Sequence, residues 1–366
     1  MRMKNYSKYL FLAAIFIYSC HQGSNLGGFQ IVIDVDNTNE INASSFIEDF
    51  SIIRLSTDDN ILIHHISKVQ YINNKIFILD IPGNSIFIFN TDGSLYYRIR
   101  RVGQGPGEYA QITDFFVSND NLYLLDFTQQ FILRLNENHE FIERIRLEAF
   151  SSYFVYSNSF FWTYGEPSPR RRDYQFSYIN SSGEVVSKFL PRRPSSNLFN
   201  WTGVNVFHRN NNALYLSPRF GNVIYRIKNG SITPVFSINF GRRQFPVRDN
   251  VNNHDIAALD FRFLLKHNFY LSDRFLIFDF FMNRNRYFNV YDRIEGVNLT
   301  GVVNNDLIEN FRFFPQWGND HYLIEVLCPE HLLNDFAESP QFADFIDLST
   351  IKEDDNPLII IYRLRK

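Results

Sequence analysis

The sequence predicts an all-β chain: a six-bladed β-propeller of four-stranded blades, its ring closed by N- and C-terminal strands. Three observations carry this expectation. Phe, Tyr, Ile and Val dominate the apolar positions, with 39 Phe and 20 Tyr among 366 residues, and such residues fit a pleated surface better than a helix. Pairs of short apolar strands recur with a period of about 50 residues, the size of a propeller blade. Several strands, such as Ile76-Phe77-Ile78-Leu79 and Leu358-Ile359-Ile360-Ile361, are apolar on both faces. Strands covered by neighbouring sheets on both sides read that way, whereas a sheet with one wet face alternates.

The first element is an export signal. Arg2, Lys4 and Lys8 precede the apolar run Leu10–Tyr18, which is half the roughly 18 residues needed to span a bilayer. Ile17-Tyr18-Ser19-Cys20 has the order of a lipoprotein cleavage motif: a branched apolar residue, then a small residue directly before cysteine. Tyr18 departs from the usual small or aliphatic residue. The expected organisation is a signal peptide over 1–19, a polar tether over 20–45 and the propeller over 46–366, with lipid attached at Cys20; within the tether the short apolar run Phe29–Ile33 can pair as a strand. Lipidation of Cys20 would leave Cys328 as the second of two cysteines and exclude an intrachain disulfide. Cys328 follows the apolar run Tyr322–Leu327 and is expected to be a buried small hydrophobe rather than a nucleophile.

Six units follow in order. Their strand pairs are Lys75–Asp80 with Ser85–Asn90, Leu122–Asp126 with Phe131–Asn136, Phe160–Thr163 with Tyr174–Ile179, Ala213–Ser217 with Val223–Ile227, Arg274–Asp279 with Arg286–Tyr291, and His321–Val326 with Leu358–Arg363. Turns such as Thr91-Asp92-Gly93, Ser182-Gly183 and Asn229-Gly230 separate them. Phe50–Leu55 is a further strand, ahead of the first unit. An open ring would expose an unpaired edge, so this strand is expected to complete the last blade. Insertions at 166–173, 191–200, 242–260 and 329–356 interrupt the period. Asp255–Phe261 and His331–Phe336 within them read as short helices. Long insertions on a rigid scaffold are where binding function is usually carried.

Val102-Gly103-Gln104-Gly105-Pro106-Gly107-Glu108-Tyr109 packs glycines and a proline into a tight crossing. A phosphate-binding loop would need a helix to follow, but the apolar strand Ile112–Phe115 follows. This segment, with Leu122-Tyr123-Leu124-Leu125-Asp126, resembles the NHL repeat. Together with the Asn90–Leu95 turn and the lipoprotein-type N-terminus, it is similar to the six-bladed β-propeller lipoproteins of Bacteroidota. The layout matches along the mature chain, but the specific motif occurs once. The resemblance implies a fold and an envelope location, and no particular activity.

Composition excludes some functions. Removing Arg2, Lys4 and Lys8 takes the formal charge from −3 to −6, so there is no global electrostatic footprint for nucleic acid. No Gly-x-Ser-x-Gly elbow or Ser/His/Asp set appears. No Cys/His spacing suits zinc, and adjacent His64 and His65 would face opposite sides of a strand. No catalytic or metal residue is assigned. Asp80, Asp126, Asp279 and Glu325 recur at one place in the repeat. Lactonase-like six-bladed propellers hold calcium in the channel through such oxygens, but turn capping by side-chain hydrogen bonds is the favoured role here. Arg98-Arg100-Arg101, Arg170–Arg172, Arg192-Arg193 and Arg242-Arg243 are basic clusters that would bind anions if two converged. Trp162, Tyr164, Phe199, Trp201 and Trp317 could stack on sugars, although blade packing accounts for most such aromatics.

The expected function is therefore a lipid-anchored envelope scaffold that binds a protein or carbohydrate ligand through rim loops and needs no cofactor. The alternative is a calcium-dependent lactonase-like hydrolase or lyase with its site in the central channel. His21-Gln22-Gly23-Ser24-Asn25 carries no acidic residue, which places the expected anchor in the outer membrane, facing the periplasm.

Overall fold

A computed structural model of the chain describes residues 28–366, apart from 59–60, 119–120, 166–173, 192–204, 212, 220, 246–263, 309–310 and 337–344. Six sheets, each with an antiparallel four-stranded core, form a six-bladed propeller. Blade 1 is Lys68–Ile72, Lys75–Asp80, Ser85–Asn90 and Leu95–Ile99, from the axis outward. Blades 2, 3 and 4 begin at the axis with Ile112–Ser118, Tyr153–Ser157 and Phe207–Asn210, and blade 5 with Phe269–Leu271. The hairpins between first and second strands are tight. Asn73 and Asn74 take φ of 51° and 54°, as do Asn158 and Ser159 at 52° and 65°, the left-handed pair that lets a two-residue turn follow the sheet twist.

The ring closes as expected. Blade 6 comprises Trp317–Gly318, Tyr322–Leu327 and Leu358–Leu364, and its outer strand is Ile47–Arg54 from the N-terminal end. Leu358 pairs with Arg54, Ile360 with Ile52 and Tyr362 with Phe50. Leu358, Ile359, Ile360, Ile361 and Tyr362 are all buried, because blades 5 and 1 cover the two faces of this sheet. Each such isoleucine contributes about 1.5–3 kcal/mol on burial. At the seam with blade 1, Gly93 has φ +83°, and a Cβ there would lie 1.8 Å from the Arg54 carbonyl oxygen. The close approach lets Ser56 N donate to Gly93 O at 2.8 Å. Gly183 repeats the device between blades 2 and 3, where Glu148 N donates to its carbonyl at 3.0 Å.

The tether boundary needs correction. From Phe29 onward the polar segment belongs to the ring. Phe29–Val32 adds in parallel to Ser231–Asn239, the fourth strand of blade 4, and Asn39–Asn42 adds in parallel to Asn298–Asn304 of blade 5. Ile31 and Ile41 are buried there. Each short strand sinks one isoleucine and leaves its neighbours outside, Phe29, Gln30 and Val32 in the first and Asn39, Glu40 and Asn42 in the second. The helix over His331–Phe336 is present as Pro329–Phe336, whereas Asp255–Phe261 lies outside the described residues.

Candidate functional site

Blade topology sorts the connections. Turns between first and second strands lie at one end of the inner strands, and the crossings between blades arrive at the other. The insertions at 166–173, 191–200, 242–260 and 329–356 all belong to connections at this second, crossing end.

The four recurring carboxylates sit at this end, and all are buried. Asp80 accepts from the amides of His64 (3.0 Å), His65 (3.3 Å) and Gly83 (3.0 Å). Asp126 accepts from Ala110 N at 2.6 Å and Gln129 N at 2.9 Å. Asp279 accepts from Asn268 N at 3.0 Å, and Glu325 from Phe314 N at 2.8 Å. Each carboxylate thus latches the chain just before the inner strand of its own blade. Asp80 and Asp126 also cap the turn that follows them, through Gly83 N and Gln129 N, as favoured from sequence, whereas Asp279 and Glu325 stand inside their strands and fasten the crossing. His64 and His65 are not on a strand; they lie in the crossing that Asp80 fastens.

Asp279 carries further partners: Arg286 Nε donates to it at 2.7 Å, and His267 Nδ1 lies 2.9 Å away. Burial alone would raise its pKa, but Arg286 and His267 outweigh burial and hold the carboxyl well below the usual range. Glu325 behaves oppositely. Burial pushes it up to about 8, against the Phe314 amide and Arg286, so it is protonated at neutral pH. Among the described residues, no three carboxylate, imidazole or thiol groups gather as a metal site.

The central channel holds a cavity of about 720 Å³, lined by five of the six blades. Phe116, Phe127, Tyr153, Phe207 and Trp317 supply aromatic wall. Its charged groups tie blades together. Lys68 Nζ of blade 1 donates to Asp114 Oδ1 at 2.6 Å and to Phe115 O at 2.7 Å, and Asp114 Oδ2 accepts from Phe154 N of blade 3 at 2.8 Å. Burial raises the Asp114 pKa and Lys68 opposes that shift. His208 of blade 4 is buried with Nε2 2.8 Å from Leu271 O of blade 5. Desolvation pushes it down to about 4, so the ring is neutral. Asn205 Nδ2 reaches Gln316 O at 3.1 Å, and Asn319 Nδ2 reaches Tyr71 O at 3.3 Å. The Lys68–Asp114 strap was not singled out from sequence. Its signal was one carboxylate inside the apolar strand Ile112–Ser118.

Other candidates disperse. Trp162 packs inside blade 3 between Tyr178 and Phe189, at 4.8 and 5.2 Å. Tyr164 is buried against Phe176. Trp317 alone of the described candidate aromatics lines the channel, with its Nε1 buried and without a hydrogen bond. Phe199, Trp201, Arg170–Arg172 and Arg192-Arg193 lie outside the described residues, as does Cys20. Arg98-Arg100-Arg101 belongs to blade 1 and its crossing, whereas Arg242-Arg243 follows the fourth strand of blade 4. Cys328 is exposed, not buried, because strand Tyr322–Leu327 ends just before it. Partial desolvation and Glu330 raise its pKa, which disfavours the reactive thiolate.

Residues 29–363 match the family model described as a domain of unknown function, DUF4934. The chain belongs to the DUF4934 family. Among solved structures, the DUF4934 chain is similar to a Bacteroides fragilis NCTC 9343 protein described as exported, with 20% identity and a TM-score of 0.74 over 93% of this chain and 99% of that one. A DUF4221 family member from Bacteroides vulgatus aligns at 12% identity and a TM-score of 0.55, covering 90% of this chain and 99% of its own. These likenesses show the propeller fold. No curated protein matches the DUF4934 chain.

Proposed function

We propose that this DUF4934 protein is an exported, lipid-anchored binding scaffold that receives a carbohydrate or protein ligand at the crossing end of its propeller. The aromatic-walled cavity of about 720 Å³ in the channel carries this reading. Clefts of that size, mostly apolar with a few polar groups, suit ligand capture. The channel's Lys68, Asp114 and His208 are engaged between blades, and the four recurring acids hold backbone. Neither set is arranged as the open oxygen cage that a calcium-dependent lactonase or lyase would need. The lipoprotein-type sequence at Ile17–Cys20 and the similarity to an exported Bacteroides protein support an envelope address. The acid-free stretch after Cys20 supports the periplasmic side of the outer membrane.

The test joins address to site. Cys20→Ala should release the protein from the membrane fraction and abolish acyl labelling. Envelope glycans and peptides would be screened by calorimetry against the protein and its Trp317→Ala and Tyr153→Ala variants. Binding that weakens tenfold or more in both variants, with the ligand recovered intact, supports the scaffold. A ligand recovered as cleaved product, or affinity indifferent to both substitutions, overturns it.

A further inference from the structure

The outer wall of the ring is unevenly covered. Blades 4 and 5 have five strands because Phe29–Val32 and Asn39–Asn42 add to their fourth strands, whereas among the described residues blades 1, 2 and 3 end on Leu95–Ile99, Phe141–Arg146 and Val185–Pro191, which are bare in that sense. The chain's own belt demonstrates what a fourth strand can accept. It takes a short parallel strand that buries its third residue: Ile31 opposite Ile238 and Ile41 opposite Val303. Phe29 also stacks on Tyr291 at 5.1 Å. Buried aliphatic residues stand late in the bare strands too, Ile99 in blade 1 and Ile145 in blade 2.

Charge separates the two sets. The covered strands, Ser-Ile-Thr-Pro-Val-Phe-Ser-Ile-Asn over 231–239 and Asn-Leu-Thr-Gly-Val-Val-Asn over 298–304, contain no charged residue. The bare ones carry Arg98, Arg144, Arg146 and Lys188 against one acid, Glu143, which Arg134 neutralises at 3.0 Å, and Arg100 follows directly on blade 1. Basic residues on a free edge oppose indiscriminate pairing. They also set the charge of any strand that would pair specifically. Apolar surface accompanies them: Tyr96 is 54% exposed and Ile142 43%, with Tyr97 and Phe141 also exposed. Tyr97 lies flat on His139 at 4.6 Å, joining the walls of blades 1 and 2 into one aromatic surface. Tyrosine and arginine together are the composition of interface anchors.

We infer that the bare outer edges of blades 1 and 2 form a docking surface for an acidic, extended segment of a partner protein, which adds as a parallel strand as the belt does on blades 4 and 5. Main-chain hydrogen bonds would supply affinity and alternate side chains specificity. An aromatic residue of the incoming strand would meet Tyr97, an aliphatic one would approach Ile99 or Ile145, and its carboxylates would meet Arg100 and Arg146. This surface lies on the outer wall, away from the channel, and does not depend on the ligand site proposed above.

The probe is a fluorescent peptide of the belt sequence Gly28–Ile33 carrying Gln30→Glu and Val32→Glu, with a twin carrying Lys at both positions. Anisotropy titrations use the mature full-length chain. The acidic peptide is expected to bind at least tenfold tighter than its basic twin, and Arg100→Glu with Arg146→Glu should reverse that order. Tyr97→Ser should weaken both peptides without moving the melting temperature. Equal affinity for the two peptides, binding unchanged by charge reversal, or no binding of either overturns the proposal. Sedimentation showing a dimer of the unliganded protein that Arg100→Glu dissolves also overturns it, because the occupant is then a second copy.

Discussion

Glu325→Gln should make the propeller more stable as pH rises. In the unfolded chain Glu325 ionises near 4.5, whereas in the fold burial holds it protonated up to about 8. The folded state therefore binds an extra proton between these values. The stabilisation linked to that proton is complete below about pH 4.5 and is lost as pH climbs towards 8. At about 1.4 kcal/mol per pH unit, the loss reaches about 3 kcal/mol at pH 7 and about 5 kcal/mol above pH 8. Glutamine has nearly the same shape and cannot ionise. Its carbonyl oxygen can still accept from Phe314 N and the Tyr362 hydroxyl, which lie 2.8 and 3.3 Å from the present carboxyl oxygen. Urea unfolding followed by tryptophan fluorescence, from pH 4.5 to 9, would give the two stability curves. They should nearly coincide at the acid end and separate by a few kcal/mol at pH 8, with the variant more stable. A constant gap, or a wild type that gains on the variant with rising pH, would refute the reasoning and mean that Glu325 is ionised beside Arg286.

Four further outcomes follow from the same geometry. His208 is held neutral to about pH 4 against an ordinary 6.5, so its share of stability is present above about 6.5 and drains as pH falls to 4; His208→Gln should flatten that acid limb of a melting-temperature profile. Asp114→Ala strands the Lys68 ammonium and the Phe154 amide, and should cost about 3–5 kcal/mol in denaturant unfolding. Asp126→Ala frees the amides of Ala110 and Gln129 and should cost about 1–3 kcal/mol. Deleting 358–366 removes the strand between Tyr322–Leu327 and Ile47–Arg54, and gel filtration should find aggregate in place of monomer.

The ring was legible because burial on both faces writes itself into composition. A sheet covered on two sides needs runs such as Ile76–Leu79, and six such pairs at one spacing leave few alternatives. Closure was legible for a related reason: a ring left open would expose an unpaired edge, and Phe50–Leu55 was a strand without a blade of its own. Half of the belt was legible: the apolar run Phe29–Ile33 reads as a strand that can pair, whereas Asn39–Asn42, which buries Ile41 between polar residues, leaves no pattern long enough to notice. Cys328 misled because an apolar run says nothing of where its strand stops. The channel strap escaped because Lys68 and Asp114 stand 46 positions apart, and only blade curvature joins them. The recurring acids were found by position, but their task of catching the next inner strand needed the crossings to be seen in space.

The seam in blade 6 also governs when this protein can exist. Arg363 contacts Asp49 across 314 positions of chain, so the sixth sheet cannot assemble until residues 358–364 are made. Blades 1 to 5 are built from neighbouring hairpins and can form early, but they must wait as an open arc with bare apolar flanks. Such long-range pairing is slow, and the waiting species is prone to aggregation. A chain that stops short of Leu358 would leave that arc open and lose the ring rather than one blade. The pairing of 47–54 with 358–364 is thus the contact on which the whole ring depends.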